Sequence, residues 1–259
     1  MACASLGNPG PETFARRPAS PPPDGRPGRR EPGLAWKLEI PFGFPKIHMP
    51  ARAKTSSAAA VRTRILQKAR EHLFARGYRS LTMAELATEL GMSKKTLYRH
   101  YPGKEDLVRQ AIREFGHEVR ADADVILRDQ RLTFAEKLHS FTGGMLRRLS
   151  HLNPHLLRDL QRFAPALHEL TFEIRRKNIP YIFGRLIEEG QLSGRVRDDL
   201  NPAFAAEFLL HAMQGLLLPA NLAQLHLAPQ QVFENAMNLF FGGLLTPAGR
   251  KDYEKLFPR

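Results

Sequence analysis

The sequence predicts an all-α protein, and three observations carry that prediction. From about residue 58 onward apolar residues recur at intervals of three and four with almost no alternating strand pattern. Glycines and prolines such as Gly77, Gly91, Pro102, Pro165, Pro202 and Pro229 punctuate these stretches, as helix stops and starts do. Before them, residues 1–50 hold 11 of the 20 prolines and 6 of the 19 glycines, a composition that cannot build a packed core. The expected organisation is a disordered Pro/Gly-rich extension (1–50), a small basic three-helix head (51–108), a larger apolar helical body (109–250) and a C-terminal tail (251–259). In the extension the apolar island Leu34–Ile40 is too short to fold alone, and Met49 is a second candidate start of the functional chain.

The first helix of the head carries Leu66, Ala69, Leu73 and Phe74 on one face and arginines and lysines on the other. Gly77 is placed to stop it in the left-handed conformation, with Tyr78 positioned for a capping contact to Leu73. Thr82 and Glu85 form a capping box that opens a second helix bearing Met83, Leu86, Ala87 and Leu90. Gly91 ends it, and Ser93 caps a third helix two residues later, Lys94 to Tyr101, stopped by Pro102. Two short helices joined by a glycine turn form a helix-turn-helix. A long helix follows from Lys104 to about Leu127, with Leu107, Ala111, Phe115 and Val119 in one stripe. Further helices are expected near 133–150, 154–162, 165–190, 202–220 and 229–246, bounded by Pro154, Pro165, Gly190, Gly194, Pro202, Pro219 and Pro229. No repeat of fixed period occurs.

Charge narrows the partner. The chain has 39 Lys plus Arg against 26 Asp plus Glu, a formal +13. Residues 51–70 hold six of the basic residues and no acid, whereas the extension is close to balanced. A basic leading segment suits nucleic acid or an anionic membrane surface. A single cysteine, Cys3, forms no internal disulfide and no zinc finger, and no apolar run reaches the ~18 residues of a membrane span. A cytoplasmic protein is therefore expected, on the nucleoid when bound to DNA.

The third helix carries the chemistry of a DNA contact. Ser93, Lys94, Lys95 and Thr96 supply free amides, two ammoniums and hydroxyls at one helix start. Tyr98, His100 and Tyr101 are expected on the outer rim as phosphate donors, Lys104 adds a cation at the next helix start, and Leu97 anchors the helix from behind. A lone lysine would be read as a solvated face; the cap, turn glycine, buried leucine and stopped helix together favour DNA.

The run Leu-Thr-Met-Ala-Glu-Leu-Ala, continuing through Gly-Met-Ser-Lys-Lys-Thr-Leu-Tyr-Arg-His-Tyr-Pro-Gly-Lys-Glu-Asp-Leu and ending at Leu107, resembles the signature of the tetracycline-repressor-like (TetR/AcrR) transcriptional regulators. The match is ungapped over about residues 60–108. The resemblance implies an all-helical homodimer whose head binds a double-stranded DNA operator and whose body holds a small-molecule effector and the dimer face. It makes Ser93–Tyr101 the recognition helix, Lys94, Lys95 and Thr96 its base or groove contacts, and Tyr98, His100, Lys104 and Thr82 its phosphate contacts. Ala87, Gly91 and Leu97 match the small residue, turn and core anchor of the motif. Tyr101 stands where the family often has Phe, and the 50-residue extension is longer than most members carry.

In the body, Phe141, Met145, Phe163, His168 and Met213 are the candidate lining of an effector pocket for an apolar or amphipathic molecule. Aromatic and Met residues at helical spacing are more often core than pocket. The helices at 202–220 and 229–246 are apolar on more than one stripe, with Ala206, Ala212, Gly215 and Ala236 permitting close approach, and are the expected dimer face. His151 and His155 are separated by Pro154, and His168-Glu169 lacks a second histidine, so no metal, cofactor or catalytic residue is expected. The resulting expectation is a ligand-responsive homodimeric repressor rather than an enzyme. An activator or ligand-independent DNA binder of the same fold is the alternative, and a helical-bundle enzyme or membrane-surface protein a remote one.

Overall fold

A computed structural model describes residues 57–256. The Pro/Gly-rich extension, the candidate start at Met49, the basic residues Arg52 and Lys54 and the last three residues lie outside the described residues. Eleven helices follow in order among the described residues: α1 (Ser57–Arg76), α2 (Met83–Glu89), α3 (Lys94–His100), α4 (Lys104–Arg128), α5 (Phe134–Ser150), α6 (Leu156–Phe163), α7 (Pro165–Leu192), α8 (Pro202–Leu216), α9 (Pro219–Leu225), α10 (Pro229–Leu244) and α11 (Pro247–Leu256). No strand occurs among them; Val196 and Leu245 form one isolated bridge.

The helix ends follow the local chemistry. Thr82 Oγ1 accepts from the Glu85 amide at 3.2 Å and Ser93 Oγ from the Thr96 amide at 3.0 Å. Gly77 and Gly91 adopt φ of +87° and +63°, where a side chain would be strained. Thr133 and Glu136 make a full capping box at the start of α5.

Two boundaries differ from the sequence reading. The helix expected over 202–220 breaks after Leu216, and α9 starts at Pro219 with a bend of 78°. Proline has no amide to continue the ladder and forces the preceding residue out of the helical region, and Leu218 is extended at φ −62°, ψ 136°. The tail expected from residue 251 is instead helical as far as Leu256, within α11, which is anchored at its start. Gly249 lies so close to the Arg195 carbonyl that a Cβ would stand 2.0 Å from its oxygen, and Arg195 Nε donates to Asp252 at 2.6 Å. A largely polar helix held by a backbone approach gives no apolar stripe to read.

Two apolar clusters form the interior. One joins Ile65, Leu73, Leu86 and Leu97 of the head to Leu107 of α4, Leu160 of α6 and Leu167 of α7. The other joins Phe141 of α5, Phe183 of α7, Leu209 and Met213 of α8 and Phe233 and Phe241 of α10. The head therefore shares its core with α4, α6 and α7, and the division expected at residue 108 does not coincide with a gap in the apolar interior.

Candidate functional site

The head presents α3 on a frame of three helices. Leu97 is fully buried and fixes α3 against the core, which leaves Lys94, Lys95 and Tyr98 exposed, with Tyr98 47% accessible. Arginines of α1 hold the frame from behind: Arg62 Nη1 donates to the His100 carbonyl at 2.6 Å and Arg64 Nη2 to the Leu90 carbonyl at 3.0 Å. Both bonds satisfy carbonyls at or just past the ends of α2 and α3, which lack intrahelical donors. Part of the basic signal of residues 51–70 is thus spent on assembling the helix-turn-helix.

The polar candidates divide by what they already bond. Ser93 and Thr96 lie 3.0 Å apart, oxygen to oxygen, and Thr82 Oγ1 donates to Glu85 at 2.9 Å, so these hydroxyls are oriented but remain at the surface. His100 is half-buried at the end of α3. Lys104, also half-buried, sets its ammonium 4.1 Å from the centre of the Tyr78 ring, and burial lowers its pKa against the opposing pull of Asp159. Tyr101 is a correction: it is 1% exposed rather than on the outer rim. The chain turns back at Pro102, folding the ring beneath α1, where the Arg62 guanidinium stacks 4.3 Å from its centre and the hydroxyl donates to the Arg62 carbonyl at 3.5 Å. One further polar group is sealed in the head: buried His72 bonds Glu89 at 2.8 Å, and this bond first, with Lys68 behind it, holds the Glu89 carboxyl below its ordinary pKa.

The body encloses a cavity of about 170 Å³ between α1, α4, α5, α6, α7, α8 and α10. Three of the expected residues, Phe141, Met145 and Met213, line it. Two do not. Phe163 ends α6 and is 44% exposed between the guanidiniums of Arg79 and Arg162, at 5.2 and 5.3 Å. His168 is buried with its ring edge-on to Phe172, 4.9 Å away, and burial first, then Arg175, lowers its pKa. Sequence reasoning missed the polar wall of the cavity, Thr171, Arg175 and Asn178, together with Phe74, which α1 contributes from the head. The signal was present: Thr171, Ile174, Arg175, Asn178, Ile179 and Ile182 are one helical stripe in which polar residues replace apolar ones.

The cavity wall and the head are joined. Phe74 packs edge-on against Phe115 of α4 with centres 5.5 Å apart. The Asn153 amide donates to the Phe74 carbonyl at 2.5 Å, and Arg70 of α1 clasps Glu118 of α4 through both guanidinium nitrogens at 2.5 and 2.6 Å. At the same level Gly116 lets α7 approach α4, since a Cβ there would meet Ile174 Cγ2 at 2.6 Å.

With this geometry in hand, residues 65–111 match the family described as bacterial regulatory proteins, tetR family. That span covers α2, the turn and α3, with the second half of α1 and the first two turns of α4. Residues 65–111 are a DNA-binding head of the tetR type. Relatives of the chain include the HTH-type transcriptional repressor DhaR of Mycobacterium sp. (strain GP1), 23% identical over 61% of this chain and 81% of its own length. Another is the HTH-type transcriptional regulator UidR of Escherichia coli (strain K12), 24% identical over 74% of this chain and 96% of its own. Among solved structures, reduced E. coli NemR has the same fold with a TM-score of 0.57 at 15% identity, covering 73% of this chain and 99% of that one. A transcriptional regulator from Saccharomonospora viridis in complex with choline superimposes with a TM-score of 0.55 at 20% identity, over 73% and 99% of the two chains. The chain is accordingly a DNA-binding, helix-turn-helix transcriptional regulator.

Proposed function

We propose that the protein is a homodimeric repressor acting in the cytoplasm, which grips a pseudo-palindromic operator through α3 and releases it when a small apolar or amphipathic effector occupies the body cavity. The observation that carries this reading is the shared wall: Phe74 belongs to the first helix of the head and lines the cavity of the body. An effector pressing on Phe74 and Phe115 would move α1 and α4 together, because Arg70 and Glu118 tie them. The separation of the two recognition helices in a dimer would change with them. Such coupling is reciprocal, so operator DNA would weaken the effector by the same factor by which the effector weakens the operator. The regulator of this fold that holds choline supports the capacity of such a body for a small molecule.

The dimer reading rests on α8 and α10. Phe204 and Phe208, one turn apart on α8, are 65% and 60% exposed, and Leu239 of α10 is 81% exposed. Apolar side chains this open on adjoining helices are the surface a two-fold partner would cover. Half-sites about one helical turn of DNA apart would follow.

On the head, Lys94, Lys95 and Tyr98 are the contacts favoured by exposure, with Ser93, Thr96, Thr82, His100 and Lys104 around them; Tyr101 supports the head from inside. The test is direct. Replacing Lys94, Lys95 and Tyr98 with Ala should abolish binding to an operator selected from random DNA, while sedimentation still shows a folded dimer. Operator binding that survives the triple change removes α3 from the interface, and a monomer at micromolar concentration removes the dimer.

A further inference from the structure

Among the residues lining the cavity, Arg175 alone is charged, and none is acidic. Glu169 on the same helix pairs with Arg176, at 3.9 Å, and Glu173 is exposed. Arg175 Nη2 donates to Thr171 Oγ1 at 3.1 Å, and its guanidinium carbon lies 5.0 Å from the centre of the Phe172 ring. Although the residue as a whole is only half-buried, its Nη1 is closed off and has no hydrogen-bond partner among the described residues.

The other polar groups of this wall are already engaged. Thr171 Oγ1 donates to the His168 carbonyl at 2.7 Å, and Asn178 Nδ2 to the Gly116 carbonyl at 2.9 Å. Nearby His168 carries no compensating negative charge. The guanidinium stays protonated: burial lowers its pKa, to about 10, which is far above neutrality. A buried donor left unpaired is costly, and an uncompensated charge more so. The wall therefore offers a fixed cation with an open donor in an otherwise apolar chamber, which is half of a charge-assisted pair.

We infer that the cavity takes an amphipathic anion, a carboxylate that pairs with Arg175 Nη1 and carries a short apolar tail laid against Phe141, Phe183, Met213 and Phe233. This deepens the effector reading above and rests on it. A planar guanidinium matches the two oxygens of a carboxylate better than a lysine would. Size limits the tail. A dry cavity of about 150 Å³ holds a benzene molecule, so one aromatic ring or a chain of about six carbons suits the space here.

The test is calorimetric titration of the full chain with hexanoate, octanoate and phenylacetate, each beside its matched alcohol and amine. The wild type should bind at least one carboxylate about 10- to 100-fold more tightly than its alcohol, as a charge-assisted bond to a buried partner implies. The amine should bind more weakly than either. R175Q and R175M should lose the preference and R175K should keep a reduced one, with circular dichroism melts reporting the fold of each. If one neutral variant fails to fold, the other and R175K still decide the matter. Failure of every carboxylate to bind, a wild-type ratio near one, or a ratio unchanged in the folded neutral variants would overturn the anion site. Operator release separates the two readings. A carboxylate that binds through Arg175 yet leaves operator DNA bound refutes the effector role and keeps the site, whereas an alcohol or amine that binds and releases DNA does the reverse.

Discussion

Two cations of the body, buried Lys137 and half-buried Arg175, differ in their surroundings. Lys137 of α5 is 4% exposed; its ammonium meets Glu189 of α7 at 2.7 Å and donates to the Leu127 carbonyl at 3.1 Å. Arg175, on the same α7 and 14 residues before Glu189, faces a cavity with no acid in its wall and has one nitrogen unbonded. The first arrangement closes the junction of α4, α5 and α7 by itself. The second is incomplete as it stands, which locates the part of the molecule built to meet something else. The difference separates structural charge from functional charge without reference to either residue's type.

The largest effect should come from breaking the complete pair. Glu189→Gln leaves the Lys137 ammonium buried against a neutral group and should cost about 2–3 kcal/mol in urea unfolding, less than a fully buried pair because Glu189 is one-third exposed. Adding Lys137→Met to it should recover part of that loss; no recovery would mean that the pair is not what closes the junction. Arg175→Met should have the opposite sign. With no effector present, removing a half-buried cation that has no acid beside it should raise stability by about 1 kcal/mol, and a loss of that size would make Arg175 a strut and dissolve the contrast.

The smallest effect is on His168. Its folded pKa is depressed, so as pH falls through its ordinary value of 6.5 the unfolded chain takes up the proton first. Stability is fully present above 6.5 and declines below it towards the depressed folded value. His168→Phe should flatten that slope. Because Arg175 is the second cause of the depression, Arg175→Met should move the His168 titration upward in nuclear magnetic resonance, though not to its ordinary value, since burial remains. A titration unmoved by Arg175→Met would show that the two groups do not interact.

The head was almost wholly legible because its signals are local. Thr82, Gly91 and Ser93 each act within three residues, and the structure realises the Thr82 and Ser93 caps and the Gly91 turn; the Thr82–Glu85 capping box forms only in half, since Glu85 accepts from the Thr82 hydroxyl rather than from its amide. Tyr101 escaped because its burial depends on Arg62, 39 positions earlier in the chain. In the body, Phe163 and His168 share the helical spacing of true lining residues, and only the ends and packing of α6 and α7 put them elsewhere. Arg175 is hidden for the reverse reason: it stands in one helical stripe with Ile174, Asn178 and Ile179, but a charged residue in such a stripe is usually solvated.

The order of the helices and most of their starts and stops were determined by the sequence alone, since caps, glycine turns and proline breaks act within one turn of the chain; the break after Leu216 and the helix running to Leu256 were the exceptions. Burial was not, because it sums contributions from helices far apart in sequence. Only the tertiary structure decided that Tyr101 faces inward, that Phe74 of the head closes a cavity of the body, and that Lys137 found its carboxylate while Arg175 was left with a donor to fill.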